Sequence, residues 1–212
     1  LQTSEITKIT DDKFGVVLSI VGFNSSTKSV VINCTGELEL QHNLYIISLE
    51  NSTFSLLGNQ KGCHKASLSV DGSFLLDTWS AFDIPRQIDL INTTNNEIVT
   101  LHQSPNPFEG YDLPEITVGK LESNDENKTP LHYRLIKPLN FNQTQKYPCV
   151  IYVYGGPHIR KILNEWLYKT MGWEIYMAQR GYVVFVLDNR GSDERGYEFE
   201  SVIYKQLGKY EM

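Results

Sequence analysis

The stretch of this sequence best suited to chemistry is residues 154–158, which read Tyr-Gly-Gly-Pro-His. An apolar run precedes it, so Tyr154 is expected at the C-terminal end of a buried strand. Two glycines allow the chain to turn sharply there. A phenol hydroxyl in such a place can donate a hydrogen bond to a developing oxyanion. The alternative is a tyrosine that covers the core and is followed by an ordinary turn.

A second polar stretch, residues 188–192 (Asp-Asn-Arg-Gly-Ser), also follows an apolar run. Aspartate can act as a general base or a metal ligand, but no histidine lies near Asp188 in the sequence. The stretch therefore favours a loop held by salt bridges around Arg190. Ser192 lacks the flanking glycines of a Gly-x-Ser-x-Gly nucleophile elbow, and the sequence contains no such motif. The five histidines are scattered without metal-binding spacing: His42, His64, His102, His132 and His158.

Composition limits the classes of partner. The hydrophobic fraction of 41% suffices for a core, and the net charge of -6 provides no basic surface for nucleic acid. No apolar run approaches the roughly 18 residues of a membrane span. Three cysteines without short spacing predict neither a disulfide framework nor a zinc site, and Cys149 is expected to be a buried free thiol. We therefore predict no metal and no cofactor.

The first hundred residues predict short strands separated by turns. The strands fall into two groups of four, at residues 14–21, 29–33, 43–49 and 53–57, then at residues 65–70, 74–80, 86–91 and 97–101. Asp71-Gly72, between the first two strands of the second group, is a hairpin signal. Two groups of four indicate two blades of an antiparallel β-propeller, although a β-sandwich has the same local pattern.

The composition changes near residue 104. Residues 104–114 are rich in proline and glycine and predict a connector between two domains. Two further strands are predicted after it, at residues 115–122 and 131–137.

The pattern after residue 147 is that of an α/β fold. Residues 149–154 and 182–187 are apolar throughout, which predicts strands buried on both faces. Helices are predicted between and after them, at residues 163–180 and 197–212. This alternation of strand and helix predicts a parallel sheet.

Three stretches together resemble the dipeptidyl peptidase IV branch of the prolyl oligopeptidase family, and its bacterial members in particular. They are residues 152–158, residues 172–182 and residues 188–192. The resemblance is dense over residues 146–212 and weaker over residues 1–145. It implies that residues 1–103 are the C-terminal blades of a β-propeller. Residues 104–212 would then be the N-terminal part of an α/β-hydrolase domain.

The resemblance also implies a role for Tyr154, which matches the tyrosine whose hydroxyl forms half of the family's oxyanion hole. The family's catalytic Ser, Asp and His match no residue of this sequence. Both ends of the sequence look cut, so we expect an internal fragment that ends before the nucleophile and is inactive by itself.

The activity implied for the intact protein is that of a serine exopeptidase. It would release N-terminal dipeptides with proline or alanine second from peptide substrates, in the periplasm or after secretion. The resemblance leaves homodimerisation open. Two alternatives remain: a non-catalytic homologue that acts as a protein-binding module, and an unrelated β-domain fused to half of a hydrolase-like sheet.

Overall fold

The computed structural model describes residues 6–10, 14–36 and 38–211. The chain divides into two compact units, Leu1–Trp79 with Arg86–Gln103, and Ser80–Pro85 with Ser104–Met212. The assignment of residues 1–103 and 104–212 to two domains of the family stays a prediction. Within the described ranges, no helix is both long and apolar enough to cross a bilayer.

The first unit is built from two four-stranded sheets in which consecutive strands are neighbours. Its eight strands lie within a few residues of the predicted ones. The first sheet contains β1 (Val17–Asn24), β2 (Ser29–Cys34), β3 (Asn43–Ser48) and β4 (Phe54–Leu57), all antiparallel. The second contains β5 (Cys63–Leu68), β6 (Phe74–Ala81), β7 (Ile84–Asn92) and β8 (Ile98–Gln103).

The core of the first unit lies on both faces of β2, every residue of which is buried. Val30 and Ile32 pack with Phe14 in one cluster, whereas Val31 packs with Leu75 of the second sheet in another. Because side chains alternate between the faces of a strand, the apolar residues of a fully buried β2 can contribute to both clusters.

The second unit contains one four-stranded sheet in the order β11-β12-β10-β9. Its strands are β9 (Glu115–Glu122), β10 (Pro130–Lys137), β11 (Cys149–Val153) and β12 (Val183–Leu187). β11 and β12 are parallel, but β10 is antiparallel to both β9 and β12. The parallel pairing predicted for the strands at residues 149–154 and 182–187 is therefore confirmed. The sheet as a whole is mixed, because β10 is antiparallel to both of its neighbours.

The predicted burial of β11 is wrong. β12 is its partner on one side, and no other described strand pairs with it. Ile151 is 68% exposed, Val153 is 45% exposed and Cys149 is an exposed free thiol. An apolar run indicates that a strand favours burial, but it does not show whether the strand lies at the edge or in the centre of the sheet.

The predicted helices are shorter than expected. The region of residues 163–180 contains one regular helix, α1 (Gly172–Gln179). Before it, Leu167, Tyr168 and Lys169 have φ values of 50, 53 and 64° and form a left-handed turn. The last helix, α2 (Tyr197–Ser201), ends well before residue 211, and Lys205 and Gly208 beyond it also have positive φ. Met212 lies outside the described residues.

A buried ion pair between Arg134 of β10 and Glu174 of α1 joins sheet and helix. Both nitrogen–oxygen distances to Arg134 Nη2 are 2.8 Å, and the side chains are 1% and 0% exposed. Arg134 Nη1 also donates to the carbonyls of Lys161 and Tyr168, at 2.9 and 2.6 Å. Glu174 accepts a hydrogen bond from the backbone N–H of Met171 at the start of α1. These bonds offset the cost of burying two charges.

We expect Glu174→Gln to lower the free energy of unfolding by about 3–5 kcal/mol, because it leaves the buried Arg134 without a carboxylate. Urea unfolding followed by circular dichroism measures the change. The matched control is Glu50→Gln, which removes the exposed ion pair with Lys28. It should change the free energy by less than about 1 kcal/mol. Equal effects of the two substitutions would contradict the prediction.

Candidate active site

Tyr154 and Asp188 lie at the same edge of the second unit's sheet. β11 and β12 are parallel, and Val153 pairs with Leu187 as their last residues. Tyr154 and Asp188 are the next residues along each strand, as the sequence predicts. They differ in exposure, since Tyr154 is 46% exposed and Asp188 is 2% exposed. The edge therefore presents a phenol to solvent beside a buried carboxyl group.

The turn after Tyr154 depends on two glycines for different reasons. Gly155 has a φ of +73°, which few other residues adopt, and its N–H donates to Asn189 Oδ1 at 3.2 Å. A Cβ on Gly156 would lie 2.9 Å from Tyr154 Cε1, so the phenol ring folds against this residue. Tyr154 belongs to neither unit's core clusters, and no described residue hydrogen-bonds its hydroxyl. The hydroxyl is free to donate to an added group.

Lys161 places a positive charge beside this phenol. Its Nζ atom lies 5.4 Å from the centroid of the Tyr152 ring and 5.7 Å from that of the Tyr154 ring. Its backbone is held from both sides, by Asp188 on the N–H and by Arg134 on the carbonyl. A cation over a ring attracts its π electrons, which favours this ring orientation. The sequence analysis missed Lys161, for which no periodic pattern exists.

Asp188 supports the backbone and is not available as a base. Its two oxygens accept hydrogen bonds from the N–H groups of Lys161 and Ile162, at 2.7 and 3.1 Å. Burial raises the pKa of Asp188, and these hydrogen bonds and the charges of Arg160 and Arg134 oppose that shift. Over the described ranges, no group of three or more His, Cys, Asp or Glu side chains could hold a metal ion.

The loop after β12 is held by Arg190, as the sequence favours. Arg190 forms an ion pair with Asp125, and its Nε donates to the carbonyl of Tyr210 at 3.0 Å. The Ser123 hydroxyl lowers the pKa of Asp125, and Arg190 lowers it further. Ser192 is 1% exposed, which agrees with its poor suitability as a nucleophile.

The histidines take separate places. His158, which follows the Gly-Gly-Pro turn, contacts the carboxylate of Glu200. His64 of the first unit is buried and hydrogen-bonds Asp77 at 2.6 Å while its ring stacks on Trp79. No described serine hydroxyl hydrogen-bonds either ring, so neither forms a catalytic pair here.

The sequence analysis also missed Arg134 and Asn189. Arg134 is in phase with the buried Ile136 on β10, so a two-residue period could have placed it on the buried face. Asn189 lies within the stretch of residues 188–192, but its partner is Gly155, 34 residues away. No local pattern indicates a contact at that separation.

Two family models match this sequence. The model for the prolyl oligopeptidase family matches residues 168–212. The model for the dipeptidyl peptidase IV N-terminal region matches residues 1–86. The matches lie in the two regions where the resemblance was found, and they assign each region to one part of the same kind of protein.

Relatives and solved structures agree with these matches. Dipeptidyl peptidase 8 of Mus musculus is 27% identical to this chain. The aligned region covers 92% of this chain and 22% of the relative. A solved structure of a candidate dipeptidyl aminopeptidase IV from Bacteroides ovatus is 35% identical, with a TM-score of 0.88 over 98% of this chain. Porphyromonas gingivalis dipeptidyl peptidase 4, at 22% identity and a TM-score of 0.86, shows the same fold.

The chain spans 29% of each of these two solved chains and 22% of the mouse relative. The comparisons decide between the two β architectures that the strand pattern left open. The two four-stranded sheets are blades of a β-propeller, and the mixed sheet is the start of an α/β-hydrolase domain. The predicted fold class is therefore confirmed. Together these matches support a fragment of a dipeptidyl peptidase IV-like member of the prolyl oligopeptidase family.

Proposed function

We propose that this chain is part of a serine-type dipeptidyl peptidase in which Tyr154 stabilises the oxyanion of the acyl-transfer step. The observation that carries the proposal is the position of its phenol. It lies at the carboxyl end of β11, 46% exposed, beside a glycine turn tethered by Asn189. Its hydroxyl has no hydrogen-bond partner among the described residues, so an added oxyanion can take that place.

In this proposal the nucleophile and the acid–base group come from outside these 212 residues. A serine hydroxyl attacks the scissile carbonyl, a histidine takes its proton and later protonates the leaving amine, and the carbonyl oxygen becomes negative. The sequence has no Gly-x-Ser-x-Gly motif, so the serine would come from outside it. Tyr154 would donate its O–H to the negative oxygen, which is a stronger acceptor than the ground-state carbonyl.

The substrate proposal is a peptide from which an N-terminal dipeptide with proline or alanine second is released. Its support is the family and the dipeptidyl peptidase names of the relatives, which specify a dipeptide but not its residues.

We propose a periplasmic or secreted location on the family resemblance alone. A homodimer of the intact protein is part of the same proposal. A full-length protein that folds but releases no dipeptide from a peptide substrate would favour the non-catalytic homologue instead.

We expect Tyr154→Phe in the full-length protein to lower kcat by about 10²–10³, because it removes one oxyanion donor and keeps the ring. KM should change little. Steady-state hydrolysis of a Gly-Pro chromogenic substrate measures both. Tyr152→Phe is the matched control, since it removes a phenol hydroxyl two residues earlier on the same strand. Its kcat should remain within about twofold of the wild type. Wild-type turnover by Tyr154→Phe would refute the proposal.

We also expect the purified 212-residue chain to release no product from that substrate, whereas the full-length protein does. The reason is that a donor for the oxyanion cannot replace the nucleophile. The comparison uses equal molar concentrations, with circular dichroism to show that the chain is folded. Measurable cleavage by the chain alone would place the nucleophile within these residues and contradict the proposed division of roles.

A further inference from the structure

The side chain of Asn189 connects the ends of the two parallel strands. It lies one residue beyond Asp188, after β12, and is 2% exposed. Its Oδ1 accepts a hydrogen bond from the N–H of Gly155, the residue directly after Tyr154, at 3.2 Å. A buried side chain from one strand end therefore binds the backbone that follows the phenol on the other.

The second hydrogen bond of Asn189 determines which way its amide points. Its Nδ2 donates to the carbonyl of Arg190 at 2.6 Å. If the amide were turned over, its oxygen would face that carbonyl and its NH₂ would face the Gly155 N–H. Two acceptors would then face each other at Arg190, and two donors would face each other at Gly155. Oδ1 is therefore the atom that accepts the hydrogen bond from the Gly155 N–H.

Little else restrains the backbone at Gly155. No heavy atom outside its chain neighbours lies within 4 Å of where a Cβ would stand. Glycine itself limits φ less than any other residue does, so its φ of +73° is not set by its own sterics. Tyr154 is half exposed, and the described contacts of its ring are with Gly156 and Lys161. The hydrogen bond that the Gly155 N–H donates to Asn189 Oδ1 is the directional restraint at this turn among the described contacts.

We propose that Asn189 is a positioning residue that holds the Tyr154 hydroxyl where the oxyanion forms. The inference rests on the proposed function of Tyr154. An oxyanion donor must lie about 2.7–3.1 Å from the developing charge, and a displacement of about 1 Å can cost 10²-fold in rate. Without the amide oxygen, Gly155 can rotate and carry the phenol out of that range. Substrate binding does not depend on this distance.

The test compares Asn189→Ser with Asn189→Asp in the full-length protein, on the same Gly-Pro chromogenic substrate. Serine is too short to reach the Gly155 N–H, so kcat should fall about 10-fold while KM stays within about twofold. The aspartate variant keeps an acceptor oxygen for the Gly155 N–H at the same distance, although its second oxygen then faces the Arg190 carbonyl in place of the amide NH₂. Its kcat should remain within about threefold of the wild type. An equal loss of kcat in both variants would overturn the inference.

A double-mutant cycle with Tyr154→Phe shows whether Asn189 acts through the phenol. Asn189→Ser should cost no further activity once the hydroxyl is gone. A full additional loss in that background would assign Asn189 a merely structural role. Ser192→Ala is the matched control, since Ser192 lies in the same loop, is 1% exposed and has no described partner for its Oγ. Its kcat should equal that of the wild type.

The two proposals fail in different ways. Wild-type activity of Tyr154→Phe refutes the oxyanion role, whatever Asn189 does. A normal loss in Tyr154→Phe together with wild-type kcat in Asn189→Ser refutes the positioning role and leaves the oxyanion role intact.

Discussion

The buried pair of Arg134 and Glu174 is the interaction on which the second unit depends. Two charges taken out of water are costly, and this cost is offset where the geometry is close to ideal and further hydrogen bonds are made. Here both carboxylate oxygens accept hydrogen bonds from Arg134 Nη2, and Nη1 donates to two backbone carbonyls. Nε is buried and has no hydrogen-bond partner among the described residues. The pair thereby fixes the strand β10, the start of α1 and the chain between β11 and α1 relative to one another.

The same interaction explains why a left-handed turn occurs where the spacing suggested a continuous helix. Residues in the left-handed region cost roughly 1–2 kcal/mol each, so three in succession need support from outside. Arg134 binds the carbonyl of Tyr168 in the middle of the turn, the ring of Tyr168 stacks on Phe82, and Leu167 is buried in the core. An uninterrupted helix would use that carbonyl internally and leave part of the buried guanidinium unsatisfied.

A series of contacts connects the Arg134–Glu174 pair with the edge of the sheet at which Tyr154 lies. Arg134 and Asp188 hold the backbone of Lys161, whose ammonium lies over the Tyr154 ring. Asn189, the next residue after Asp188, holds the backbone after Tyr154. The Tyr154 ring contacts Lys161 and Gly156 and belongs to none of the core clusters. Such a division between a buried support and an exposed polar group is typical of active sites placed on strand ends.

The sequence by itself determined the strand pattern of both units and the place of Tyr154 at a strand end. Both follow from local rules, since alternation, turn residues and apolar runs depend on neighbours a few positions apart. The motifs around Tyr154 and Asp188 also indicated the family that the comparisons support. The tertiary structure decided the antiparallel pairing of β10, the exposure of Cys149 on an edge strand and the interruption before α1. It also decided the partners of Arg134 and Asn189, which lie 40 and 34 residues away. Contacts at these separations depend on strand order and register, which no local pattern contains.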